Sequence, residues 1–356
     1  MLLPAPMRTS HLIALFSVVT ASSFAIFGCS DDNDAARSAS EDGGLPDAAI
    51  DAGAEGSPTP DAGDGGIATT TIRFKAADGD GKEWRCGSSN LRVGNLTDVR
   101  PGDLRFYVYD VTLLASDGTS VPFALVDDGK WQHQGVALLD FEDATAECAF
   151  VIFGKAKSAD VNTELRGTPA AAGPFRGVRF TLGVPPSLNH TEVAIAPSPL
   201  SSTGMDHGPA DGRQFLRASF YSTTTGTTGN NDHNLIMLRT VCNNVTGDGG
   251  APPADAEACT KPNRPVITVE RDGGFDPTQH EIVVDVTNLF AGYSPLGTPG
   301  PADLNDNGRV DCFGPLHAGD LGPTLGAERC GKFYPNLGLA YGTGRAAGTQ
   351  TVFRAP

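Results

Sequence analysis

The sequence of 356 residues predicts an all-β fold: an antiparallel β-sandwich with long loops and disulfides, following a disordered N-terminal tether. Three observations carry this expectation. Many short runs alternate apolar and polar residues with period two, as a strand with one buried face requires. Glycine (44) and proline (26) punctuate the intervals as turns. Helical periodicity is nearly absent from 68 to 356.

Residues 1–28 read as a targeting segment. Arg8 and His11 form a short basic start, and the apolar run Leu12–Val19 has about half the roughly 20 residues needed to span a bilayer. Ile26-Phe-Gly-Cys29 resembles a lipobox, so the expectation is a lipoprotein signal peptide removed before a lipidated Cys29. The membrane is then a partner through a lipid anchor. Ser30 directly after the cysteine favours, by resemblance, outer-membrane retention, periplasmic or at the cell surface.

Residues 29–67 are an acidic linker of Asp, Ala, Gly, Ser and Pro, with too little to bury to offset the entropy of ordering. Of the net charge of −16, Arg8 supplies +1, the linker −9 and the remainder −8. Nucleic acid is excluded as a partner, because its binding needs a basic footprint.

Apart from Cys29, the cysteines are Cys86, Cys148, Cys242, Cys259, Cys312 and Cys330, an even set without a CxxC pair. In an exported protein this reads as three disulfides, each stabilising by roughly 2–4 kcal/mol. Fifteen connectivities are open, and sequence proximity prefers 86–148, 242–259 and 312–330.

Within 68–356 the alternating runs are 70–75, 104–114, 177–184, 215–221, 265–270 and 280–286. The longest loops fall at 186–213 and 243–263, and 287–292 reads as one helical turn. Asp303-Leu-Asn305-Asp-Asn307-Gly-Arg-Val-Asp311 places oxygen donors at positions one, three, five and nine and glycine at six, the spacing of a calcium loop. Position twelve is Gly314 where an EF-hand has glutamate, so weak calcium binding and a plain Asx-rich turn both remain open. Gly-x-Ser-x-Gly, His-Glu-x-x-His and phosphate-loop motifs are absent, and the expectation is a protein that is not an enzyme.

Several segments in order resemble one family: Asp103-Leu-Arg-Phe-Tyr-Val-Tyr-Asp-Val, Val136-Ala-Leu-Leu-Asp-Phe-Glu-Asp, Arg179-Phe-Thr-Leu-Gly-Val-Pro, Leu188-Asn-His190, Ala196-Pro-Ser-Pro-Leu200, Phe215-Leu-Arg, Pro262-Asn-Arg-Pro, Leu337-Gly-Leu and Gly348-Thr-Gln-Thr-Val-Phe-Arg. Together they resemble the MbnP-like copper-binding proteins, also described as the four-cysteine half of a metallo-mystery pair. The resemblance implies a copper-binding β-sandwich over 68–356, with a di-haem cytochrome c peroxidase-like partner that oxidises a tryptophan to kynurenine at the metal site. The family's Met-x-Trp-x-Trp segment here reads Met205-Asp-His207-Gly-Pro209, and Ile236 stands where relatives often carry histidine six residues ahead of Cys242.

Copper binds imidazole in both oxidation states and thioether when reduced. Met205 and His207 would share a face if the segment is extended, with His190 and His233 closing the site from neighbouring loops. Trp84 and Trp131 are the two tryptophans, and Trp131-Gln-His133 would set an aromatic and an imidazole on one strand face. The reading that follows is an exported, lipid-anchored copper-binding protein. The alternative is a calcium-stabilised surface-binding or adhesion lipoprotein without copper.

Overall fold

A strand of twenty residues, β3 (Leu96–Ala115), is the spine of the molecule. Its β-branched and aromatic residues suit a pleated, buried surface. Pairing is interrupted between Pro101 and Asp103, where proline cannot donate to a ladder, and again between Tyr109 and Thr112, where Asp110 adopts a positive φ of 53°. The computed structural model describes residues 67–94, 96–151, 155–208, 212–222, 233–240, 261–292, 309–311 and 331–356, with backbone alone at 233, 234 and 309–311.

Along one edge of β3 lie β2 (Leu91–Val93), β6 (Val136–Asp140) and the first half of β4 (Ser120–Leu125). Along the other lie β9 (Gln214–Ser222) and β8 (Phe175–Leu182), extended outward by β10 (His233–Arg239) and β11 (Val266–Phe275) respectively. The short β5 (Gln132–His133) turns into β6 through Gln134 and Gly135, both at positive φ, as a tight two-residue hairpin turn requires. A second layer contains β7 (Glu164–Pro169), β1 (Thr70–Ala77), β12 (Glu281–Asp285) and β14 (Phe353–Arg354). The second half of β4 pairs with β7, so one strand belongs to both layers.

The all-β expectation holds, but the pairing is mixed. β1 runs parallel to β12, and β10 runs parallel to β13 (Arg309–Asp311). Parallel partners are distant in sequence and leave no turn signature between them, so the alternation alone pointed to a purely antiparallel sheet. Among the described residues, α-helix is confined to α1 (Pro186–Asn189), α2 (Val286–Leu289), capped by the Asp285 side chain accepting from Asn288 N–H, and residues 331–336.

The layers meet through aromatic edges. Phe74 of β1 and Phe353 of β14 both pack against Phe106 of β3 and Phe180 of β8, with ring centroids 5.4–6.4 Å apart. The opposite face of β3 is buried as well, since residues 101–108 are all inaccessible. Alternation therefore separates an apolar buried face from an ionic buried face, where a solvated one was expected.

Cys86 and Cys148 form a disulfide that closes 62 residues. Cys29, Cys242, Cys259, Cys312 and Cys330 lie outside the described residues.

Candidate metal centre and the ionic layer beneath it

The second face of β3 carries Asp103, Arg105 and Tyr107. Register sets Arg105 between Asp140 of β6 and Arg217 of β9, and Arg217 in turn opposite Met237 of β10. Asp103 accepts from Arg105 Nε (2.8 Å) and Nη2 (2.7 Å) and from Arg217 Nε (2.9 Å). Arg217 Nη1 also reaches the Met237 sulfur at 3.2 Å. Lys157 Nζ lies 3.4 Å from Asp103 and 3.5 Å from Glu142 and donates to the Gly102 carbonyl at 2.6 Å. All of these side chains are essentially removed from water.

The electrostatics divide the carboxylates. Burial alone would raise the Asp103 carboxyl, but the charges of Arg105, Lys157 and Arg217 overcome it and hold it well below the usual range. Asp140 is pushed well above that range by burial, with Glu142 and Asp103 adding to the effect of burial against Arg105. Glu142 is raised for the same first reason, with the Asp103 charge next. Glu142 Oε1 is buried without a hydrogen-bond donor, although Arg105 Nη1 stands 3.6 Å away.

Above this layer lie the loops that the sequence singles out. Arg213 fastens them: its backbone N–H donates to Asn189 Oδ1 (3.0 Å), Nη1 to the Asn189 carbonyl (3.0 Å) and Nε to the Leu200 carbonyl (2.9 Å). Tyr107 hydroxyl donates to the Pro199 carbonyl at 2.9 Å. His207 N–H donates to the Gly212 carbonyl at 2.9 Å, and a Cβ on Gly212 would sit 2.3 Å from Asn189 Nδ2. His190, directly after α1, and His207 are thus held on two loops fastened to each other, both half-buried. Burial lowers the Lys155 amine, which donates to the Asp206 carbonyl beside His207.

The other predicted ligands are placed differently. Met205 ends a 3₁₀ turn (Thr203–Met205), not an extended run, and is wholly buried in the apolar core, so it does not share a presented face with His207. His233 opens β10 opposite Tyr221, at the far end of β9 from Gln214, about 23 Å along the strand. Ile236 faces the core, 0 % exposed. Of the calcium-loop residues, Asp311 closes β13 beside Met237, while Asp303, Asn305 and Asn307 lie outside the described residues.

Trp84 is core. Trp131 is half-buried under Lys130 Nζ, 4.9 Å from its ring, at the rim of a groove of about 260 Å³ shared with Asp128, Glu164 and Arg166. His133 Nδ1 pairs with Asp127 at 3.0 Å. Among the described residues, the metal-capable group of three is Cys86, Glu142 and Cys148, whose donor atoms lie within 4.8 Å of one another and whose sulfurs are joined in the disulfide.

The family model MbnP matches residues 68–307. The chain is a member of the MbnP family. MbnP from Methylosinus trichosporium superposes with a TM-score of 0.59 at 24% identity, over 81% of this chain and 98% of that one, and so shares the fold. No curated protein matches the sequence. The segments that carry the resemblance to MbnP build the buried layer. Asp103-Leu-Arg105, Asp140-Phe-Glu142 and Phe215-Leu-Arg217 supply its charges, while Leu188-Asn-His190 and Ser198-Pro-Leu200 supply the carbonyls that Arg213 and Tyr107 engage. Sequence reading missed Lys157, Glu142 and the buried arginines as a set. The signal was there in charges spaced i, i+2 inside strands rich in aromatics.

Proposed function

We propose that this MbnP-family protein is exported, held at the outer membrane by a lipid on Cys29, and binds copper as a non-enzymatic partner of a di-haem cytochrome c peroxidase-like protein. Family membership carries the reading, and the fastening of the His190 and His207 loops by Arg213 supports a place for the metal. Two half-buried imidazoles suit copper in either oxidation state. His190 and His207 would hold the ion, and the buried ionic layer would fix the loops that present them. Met205 and His233 do not join this set.

Metal analysis of protein purified from its native periplasm should find about one copper per chain, with affinity reduced on the order of 10–100-fold in His207→Ala, or about 1.4–2.8 kcal/mol. Absence of copper from folded protein matured with its partner would overturn the reading. The anchor has its own check: labelled palmitate should enter wild type and not Cys29→Ala.

A further inference from the structure

We propose that Cys86, Cys148 and Glu142 form a second, redox-masked metal site, distinct from the histidine loops, that takes zinc when the disulfide is open. The donor atoms are already gathered: two sulfurs and a carboxylate oxygen lie within 4.8 Å of one another. Cys148 is 1 % exposed and Glu142 1 % exposed, while Cys86 is half-buried and so the more accessible of the two cysteines.

A second observation points the same way. Glu142 Oε1 is buried with no hydrogen-bond donor, Arg105 Nη1 standing 3.6 Å away, so its lone pairs are left for a ligand-to-metal bond. Its Oε2 accepts from Ala144 N–H at 3.1 Å, which aligns the group without satisfying it. Asp143 N–H points at Cys86 Sγ at 3.3 Å, a donor suited to a thiolate. Arg105 and Lys157, 3.6 and 3.5 Å from Glu142, add positive charge that balances the anionic ligands.

The chemistry balances as follows. A dithiol reductant delivers two electrons and two protons to the disulfide and is itself oxidised to a disulfide, leaving two thiols. Zinc displaces both thiol protons and binds two thiolates and the Glu142 carboxylate, with water in the fourth tetrahedral position. Two thiolates alone would suit reduced copper, and the hard carboxylate oxygen as third donor selects zinc. A disulfide oxidant reverses this: it takes two electrons from the thiolates and two protons from water to become a dithiol, the Cys86 and Cys148 sulfurs rejoin, and the ion leaves.

The test uses the full chain, reduced anaerobically with a phosphine, against a Cys86→Ser/Cys148→Ser variant reduced alike. Both arms lack the disulfide, so they share any loss of stability. Zinc titration against a chromophoric chelator should show one more equivalent in wild type, with cobalt substitution giving a thiolate charge-transfer band. Glu142→Gln should weaken that equivalent at least about tenfold, and oxidation should release it. Equal stoichiometry in the two arms, or unchanged affinity in Glu142→Gln, would overturn the proposal. Preference for reduced copper over zinc would overturn the role given to Glu142.

Discussion

Asp103 is the anion on which Arg105 and Arg217 converge, so its loss would leave two buried guanidinium groups facing each other across β3 and β9. Breaking a buried pair from one side costs about 3–5 kcal/mol, and Asp103→Ala should lose that much in urea unfolding. Asp160→Ala, which removes the exposed partner of Lys130, should cost under about 1 kcal/mol. The same residues set the pH response. Asp140 and Glu142 titrate above their unfolded values, so their contribution is complete below about pH 4 and fades as pH rises through their raised folded values. Asp103 is depressed, so its contribution is present above about pH 4 and fades below it. Thermal melts should therefore peak at mildly acidic pH, and Asp140→Asn should flatten the decline towards neutrality. A melting temperature that rises steadily to pH 8 would contradict this assignment.

At the scale of elements, the 3₁₀ turn Thr203–Met205 and the segment carrying Lys155 and Lys157 are pressed together through a glycine. A Cβ on Gly204 would lie 2.2 Å from the Ala156 carbonyl and 2.6 Å from Arg105 Nη1. Gly204→Ala should cost about 1–3 kcal/mol by overpacking, whereas Gly348→Ala, with nothing within 4 Å, should be close to neutral in the same denaturation assay. Elements with strong alternation were legible in the sequence: 70–75 lies in β1, 104–114 in β3, 215–221 in β9, and all of 265–270 but Pro265 in β11. Those that escaped lack that signal. β6 is apolar on both faces up to Asp140, β10 runs Leu-Ile-Met-Leu without a break, and β14 has two residues. The ionic layer escaped because alternation marks a polar face without saying whether water or a loop covers it. Arg105 and Arg217 stand at such polar positions. The histidine loops were legible as candidates, but their fastening through Arg213 depends on approaches between residues 24 apart that no local pattern encodes.

For the whole molecule, β4 ties both layers, so they should unfold in one transition. The deeper constraint comes from the last strand. Phe353, fourth from the end, is 3 % exposed and touches Phe106 and Phe180, while β14 pairs with β12, which pairs with β1. Deleting 353–356 removes a buried phenyl ring, and should cost at least the roughly 3–5 kcal/mol of a core Phe→Ala change, read as a lower urea midpoint. There is also a consequence in time. The ring that closes the core is synthesised after Phe106 and Phe180, the two rings it covers. β1 likewise waits for its parallel neighbour β12, which comes far later in the chain. The order of synthesis thus leaves the apolar layers unclosed until the late strands arrive.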